Sequence, residues 1–376
     1  MYRRAQIFLV SSALIFGLIA VVTAQIVDKR MLDPEGFLGP SWLRLPLLVG
    51  AALLVDLVPR TLWMAKFKWK DMGPIFKERV RTHWTRERLT LVALGIVCFY
   101  LVYVCYRNLK SFLPFVVPET YEFDHELHLI DKAVLFGADP AILLHDLLGT
   151  GWVAWFLSYI YMWFLPLVPF AVAGWLVWSR NLAYGYWFVS SQCIAWILGT
   201  VSYYCLPTVG PGLQYPYLYA DLPETPASTL MESLVFTRQH VLFDVDANVV
   251  QSVGGFASLH CGITLLVALM IQATVKNKIA RWAGWINFGI TVVATVYFGW
   301  HYLADDFAGV LIGWLAVALG AWATGNRGRR RRRGLDDTAA DESDEAEDAV
   351  SADDEAGAAA RADDGADESV DSVSAS

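Results

Sequence analysis

The sequence predicts an all-α integral membrane protein of about eight transmembrane helices, followed by a disordered acidic tail. Three observations carry that reading. Of the 376 residues, 56% are apolar and 16 are tryptophan, whereas water-soluble domains are roughly 45–50% apolar. Eight stretches meet or approach the length of about 20 mostly apolar residues that a membrane crossing needs. The net charge of −8 is also unevenly placed. From Gly334 onward there are 16 acidic residues and one base, Arg361, so the tail carries −15. The preceding 333 residues hold 28 Lys and Arg against 21 Asp and Glu, a balance of +7. Cys98, Cys105, Cys193, Cys205 and Cys261 are scattered through apolar runs, which excludes a secreted disulfide scaffold. The bases are not spread over one polar face, which argues against a nucleic-acid partner.

The first span covers residues 5–27. Arg3 and Arg4 ahead of it imitate a signal peptide, but no small-residue cleavage site ends the run and seven spans follow, so it reads as a retained helix. Span two covers 42–64 and span three 89–106, with a basic linker at 65–88 between them. Spans four to eight cover 152–178, 182–206, 256–273, 282–300 and 303–324. With eight crossings, every base-rich connection falls on one side: Arg3 and Arg4, the eight bases from Lys66 to Arg88, Arg180, Lys276 to Arg281, and the run Arg329 to Arg333. By the positive-inside rule that side is cytoplasmic, and so are both termini. The basic linker would rest on anionic lipid. The tail, made of Ala, Asp, Glu, Ser and Gly, is expected to be disordered.

On the opposite side, Asp139-Pro140 followed by AILLHDLL and Gly149 reads as an N-cap, a first-turn proline, a short interfacial helix and a glycine stop. A loop rich in Pro, Gly and Tyr follows Leu206, and residues 228–250 suit a second interfacial helix.

An ionisable group in a span costs roughly 2.5–3.5 kcal/mol on insertion scales and requires an explanation. His301 and Asp305, four apart, share one helix face. The carboxylate can hold one ring nitrogen and leave the other as a nucleophile or base. His260 opens span six, and the orientation argument puts it at the same membrane level, on the outer side, as His301. Two histidines and a carboxylate at one surface can perform nucleophilic and acid–base chemistry.

The blocks around these residues carry a family resemblance. Ala257-Ser258-Leu259-His260 resembles the P-S-x-H motif of the type-2 phosphatidic acid phosphatase (lipid phosphate phosphatase) superfamily, and HYLADDFAG at 301–309 resembles its H-x-x-x-D-x-x-x-G motif. The H-Y-L-x-D form and the proline-rich loop at 206–212 are closer to the branch containing inositol phosphorylceramide synthases. The resemblance covers about residues 89–324. It implies a lipid phosphatase or phosphotransferase without metal or other cofactor, acting on a lipid phosphate or phospholipid. It further implies that His301 forms a phosphohistidine, that Asp305 orients it, and that His260 moves the proton. Ser258, with Tyr302 beside the nucleophile, would contact substrate.

The superfamily's first basic motif, K-x6-R-P, is absent. The positions six and seven residues before His301, where its third motif carries a Ser-Arg pair, are Thr295 and Ala294. Arg238, the sole base in its outer connection, is the leading candidate to bind phosphate; Lys110, Arg107 and Lys132 are the others. His125 and His128 read as an exposed interfacial face rather than a metal site, His145 and His240 as surface groups, Asp56 as a group near the inner boundary, and Cys261 as a small apolar residue. The resulting organisation is two N-terminal helices (1–64), the basic linker (65–88), a six-helix enzymatic unit (89–324) and the tail (325–376), in the plasma membrane. The alternative class is a non-catalytic transporter or scaffold.

Overall fold

In a computed structural model, the chain is described at residues 2–326 except 34, 37–38, 67, 118–121, 245–248 and 254. The expected basic run at 329–333 and the acidic tail lie outside the described residues. Helix α1 (Arg3–Ile26) is followed by a pair of two-residue antiparallel strands, β1 (Glu35–Gly36) and β2 (Gly39–Pro40). Then come α2 (Ser41–Met64), α3 (Trp69–His83), α4 (Arg86–Val116), α5 (Asp124–Val134), α6 (Pro140–Leu148), α7 (Trp152–Trp178) and α8 (Leu182–Cys205). The chain continues through α9 (Pro211–Gln214), a 3₁₀ turn (Pro216–Tyr219), α10 (Pro226–Phe243), α11 (Leu259–Thr274), α12 (Lys278–Tyr297) and α13 (Leu303–Ala323).

The eight expected spans correspond to α1, α2, α4, α7, α8, α11, α12 and α13. Among the described residues, six of them contain a stretch long and apolar enough to cross a membrane. The two that do not, α8 and α11, lie inside the bundle. Helix α8 packs against α1, α4, α7, α11 and α13 and buries Ser190, Ser191, Gln192 and Thr200 along with its apolar residues. A helix shielded by protein can carry such groups, whereas one facing lipid cannot. Helix α1 shows the other pattern: Ala5, Leu9, Ala13, Phe16, Ala20 and Ala24 form a buried helical stripe, while Leu14, Ile15, Leu18 and Ile19 are exposed.

Side-chain caps fix several helix starts. Asn181 accepts from Ala183 N at 3.0 Å, Asn277 from Ile279 N at 2.8 Å, and Thr225 and Ser228 form a capping box on α10. Asp139 precedes α6 without capping it. Its carboxylate instead reaches His128 Nε2 (3.3 Å) and Lys132 Nζ (3.4 Å).

The basic linker folds as α3, an amphipathic helix that exposes Trp69, Phe76 and Val80 alongside Lys70, Lys77 and Arg81. Arg79 reaches back to α2 and grips Asp56 with two bonds, 2.7 and 3.2 Å long. Asp56 is therefore a buried ion-pair partner rather than a mere boundary residue. Arg88 is also buried, and its guanidinium donates to the carbonyls of Leu176, Val177 and Ser179 at 3.1, 2.9 and 2.7 Å. There it meets the negative end of the α7 dipole. Trp175 bonds Thr274 (3.3 Å), Tyr2 stacks on Tyr186, and Asn326 bonds Ala183 (3.1 Å). These contacts gather the N-terminus and the base-rich connections at one end of the bundle, as the alternation of charge requires.

Candidate functional site

At the opposite end, α11 and α13 approach until backbone meets backbone. A side chain on Gly309 would collide with the Ser258 carbonyl, and one on Gly262 would lie 2.8 Å from the Gly309 carbonyl. Ser258 caps α11, accepting from Cys261 N at 3.4 Å, and its own N–H donates to the Asp305 carbonyl at 2.8 Å. This close seam carries His260 to His301, with ring centroids 6.2 Å apart. Ala257, where the motif has proline, adopts φ 68°. Proline is locked near −65° and is excluded from that turn.

His301 Nδ1 lies 3.2 Å from Asp305 Oδ2, which also accepts from Tyr302 N at 3.1 Å. With Nδ1–H directed at the carboxylate, Nε2 retains its lone pair. Burial pushes the His301 imidazole down to about 4; Lys110 adds to the drop and Asp306 opposes it, so the ring is neutral at neutral pH. His260 is held between aromatic rings, stacked on Tyr161 at 4.5 Å and against Phe164 at 4.1 Å. Both histidines line a cavity of about 840 Å³, whose walls include Tyr161, Phe164, Trp196 and Tyr203.

Not every sequence candidate reaches that cavity. Ser258 is fully buried and engaged as a cap. Arg238, on α10, pairs with Glu122 at 3.2 Å and is not part of the cavity wall. Tyr302 turns away from it and donates its hydroxyl to Asp124 Oδ1 at 2.9 Å. Arg107 and Lys110 do line the cavity, whereas Lys132 is held by Asp139. Thr295, at a position where the motif carries its Ser-Arg pair, donates to Asp306 Oδ2 (2.8 Å), and the Cys261 thiol donates to Oδ1 (2.9 Å). Cys261 thus serves as a hydrogen-bond donor inside the seam, and Asp306 joins α11, α12 and α13. His128 is buried and packs against Tyr215 with tilted rings, centroids 4.3 Å apart, in contrast to the exposed face expected. His125 is exposed, His240 pairs with Asp244, and His145 is half-buried with Nε2 at 2.9 Å from the Tyr297 carbonyl.

Two residues missed at the sequence level support His301 from behind. Asp124 receives Val209 N and Gly210 N, both at 2.9 Å, as well as the Tyr302 hydroxyl. It ties the proline-rich loop to the residue following His301. Asp131 Oδ2 accepts from Leu303 N at 3.0 Å. Burial raises Asp124 above the usual carboxylate range while its backbone donors oppose the shift, and burial pushes Asp131 up to about 6. The signal was present: Asp124, Leu127, His128 and Asp131 are the buried positions of α5, the i, i+3, i+4, i+7 stripe of a packed face. Asp124→Asn presents an amide where donors converge and is expected to cost about 1–3 kcal/mol, with Tyr302→Phe nearer 1. Thermal melts of both variants check this, and a Tyr302→Phe variant melting below Asp124→Asn would refute the hub.

A family model described as the PAP2 superfamily matches residues 125–319, just over half of the chain. No curated protein and no solved structure matches the chain.

Proposed function

The chain belongs to the PAP2 superfamily, whose members are generally phosphatases and phosphotransferases, and from that premise we propose that it transfers the phosphoryl group of a lipid phosphate or phosphodiester through a phosphohistidine. The observation that carries this reading is the pairing of a carboxylate-held His301 with His260 on the wall of one large aromatic cavity.

The neutral Nε2 of His301 attacks phosphorus, the P–N bond forming as the P–O bond to the lipid alcohol breaks. Asp305 fixes the tautomer and stabilises the positive charge that develops on the ring. His260 gives its proton to the departing oxygen. It then takes a proton from the acceptor, whose oxygen forms the new P–O bond as P–N breaks. Water as acceptor makes the enzyme a phosphatase. An alcohol makes it a phosphotransferase of the inositol phosphorylceramide synthase kind, the branch the H-Y-L-x-D block resembles. The reaction needs no metal in this scheme, so turnover is expected to survive a chelator. We place the catalytic unit at residues 89–324, with the first 64 residues and the basic linker appended. The charge pattern supports cytoplasmic termini and an outer-facing site, and the protein is placed in the plasma membrane as part of this proposal.

Purified protein given ³²P-labelled lipid phosphates with and without alcohol acceptors tests the reading. Acid-labile protein-bound label, followed by released phosphate or labelled diester, is expected. No protein-bound label and no product with any lipid phosphate would overturn it. Because burial lowers the His301 pKa, the nucleophile loses activity only as pH falls towards about 4, not through the ordinary imidazole value of 6.5. The acid limb of kcat/KM reads that shift.

A further inference from the structure

The proposed reaction leaves a gap, because phosphoryl transfer depends on donors to the non-bridging oxygens and both basic motifs that would supply them are missing. We propose that Arg107 and Lys110, one turn apart on α4, form the anion-holding subsite of the cavity and take the phosphate of a lipid phosphate or phosphodiester against His301. This rests on the reading of the cavity as a phosphoryl-transfer site, and it assigns the charge recognition to a helix preceding the segment that matches the family.

Both residues line the same cavity as His260 and His301. Neither has a carboxylate partner among the described residues. Lys110 Nζ lies over the Tyr203 ring, 4.9 Å from its centroid. Arg107 Nη1 reaches the Tyr103 hydroxyl at 3.5 Å, and its buried Nε has no acceptor. Both residues are half-buried; a cation partly withdrawn from water without a counter-charge is disfavoured, and an anion entering between the two would offset that cost.

The rival bases are already engaged: Arg238 with Glu122 and Lys132 with Asp139. The end of α4 is itself held in place. Gln251 is buried, its Nε2 donates to the Lys110 carbonyl at 2.8 Å, and its N–H reaches Ser111 Oγ at 3.2 Å. That strap fixes the two cations relative to the turn carrying His260. Arg107 offers a planar fork and Lys110 a mobile point charge, a combination suited to a phosphate bearing one or two negative charges. Aromatic walls around them suit the apolar part of such a molecule.

Binding of dodecyl phosphonate, which cannot be turned over, and of dodecanol, which lacks the charge, tests the subsite in purified full-length protein by intrinsic tryptophan fluorescence. Losing charged hydrogen bonds in the Arg107→Met/Lys110→Met double variant is expected to weaken phosphonate binding about 10- to 100-fold, leaving dodecanol unchanged. Lys110→Arg should retain most of the affinity. Unchanged phosphonate binding by the double variant, equal loss of both ligands, or no phosphonate binding by the wild type would each overturn the subsite. The two readings fail separately. Lys110-dependent binding without turnover of any lipid phosphate supports the subsite and defeats the reaction; turnover with unchanged kcat and KM in the double variant does the reverse.

Discussion

His301→Ala is expected to reduce lipid phosphate turnover by a factor of about 10⁴ or more, the scale on which loss of a covalent nucleophile is felt. The variant should still fold, since among the described residues the imidazole has one side-chain hydrogen-bond partner, Asp305, and it lines the cavity. His260→Ala separates the roles of the two rings. A lipid alkoxide is a poor leaving group, so without the proton from His260 the first step should slow by about 10²–10⁴. A p-nitrophenyl phosphate ester leaves without that proton. With such a substrate, His260→Ala should still phosphorylate His301 and then stall, because the acceptor has lost its base. The measurement is stoichiometric, acid-labile phosphate on His260→Ala protein and none on the double variant His260→Ala/His301→Ala. Label persisting after removal of His301 would transfer the nucleophilic role elsewhere. An equal rate loss for both leaving groups would deny His260 the part of acid.

Much of this arrangement was legible in the sequence because the membrane makes sequence pattern explicit. Apolar length marks six of the eight expected spans, and the alternation of basic connections puts His260 and His301 at one end of the bundle. The i, i+4 spacing paired His301 with Asp305, as the 3.2 Å contact shows. What escaped was decided by packing rather than pattern. Arg238 looked available as the only base in a long connection, but Glu122, more than a hundred positions earlier, meets it at 3.2 Å. Arg107 and Lys110 stood out less because they lie within a helix longer than the apolar run: α4 continues to Val116, beyond the expected end of the third span. Helix α3 was hidden by Gly73 and Pro74 and by its charge. The Asp56–Arg79 pair, not apolar length, anchors it to α2. Cys261 gave no local hint of its bond to Asp306, forty-five positions away.

Gly309→Ala is expected to cause the largest loss from the smallest change, through the seam rather than the chemistry. The added methyl would be driven into the Ser258 carbonyl, a backbone atom that cannot rotate away. Relief requires α13 to move off α11, and that movement breaks the 2.8 Å bond from Ser258 N to the Asp305 carbonyl. It also displaces Asp306 from Cys261 and Thr295, leaving a buried carboxylate with fewer donors. The penalty should reach about 3 kcal/mol or more, at or above the upper end of ordinary overpacking. His260 and His301 sit on opposite sides of the same seam, so activity should fall together with the melting temperature. Gly313→Ala meets the Gly262 carbonyl one turn further along α13 and should behave alike. Gly289→Ala supplies the contrast. Its site on α12 has open space around the added atom, and alanine favours a helix over glycine by about 0.8–1 kcal/mol, so its melting temperature should hold or rise. If Gly309→Ala and Gly289→Ala proved equally stable and active, close approach of the two helices could not be what holds the histidines together.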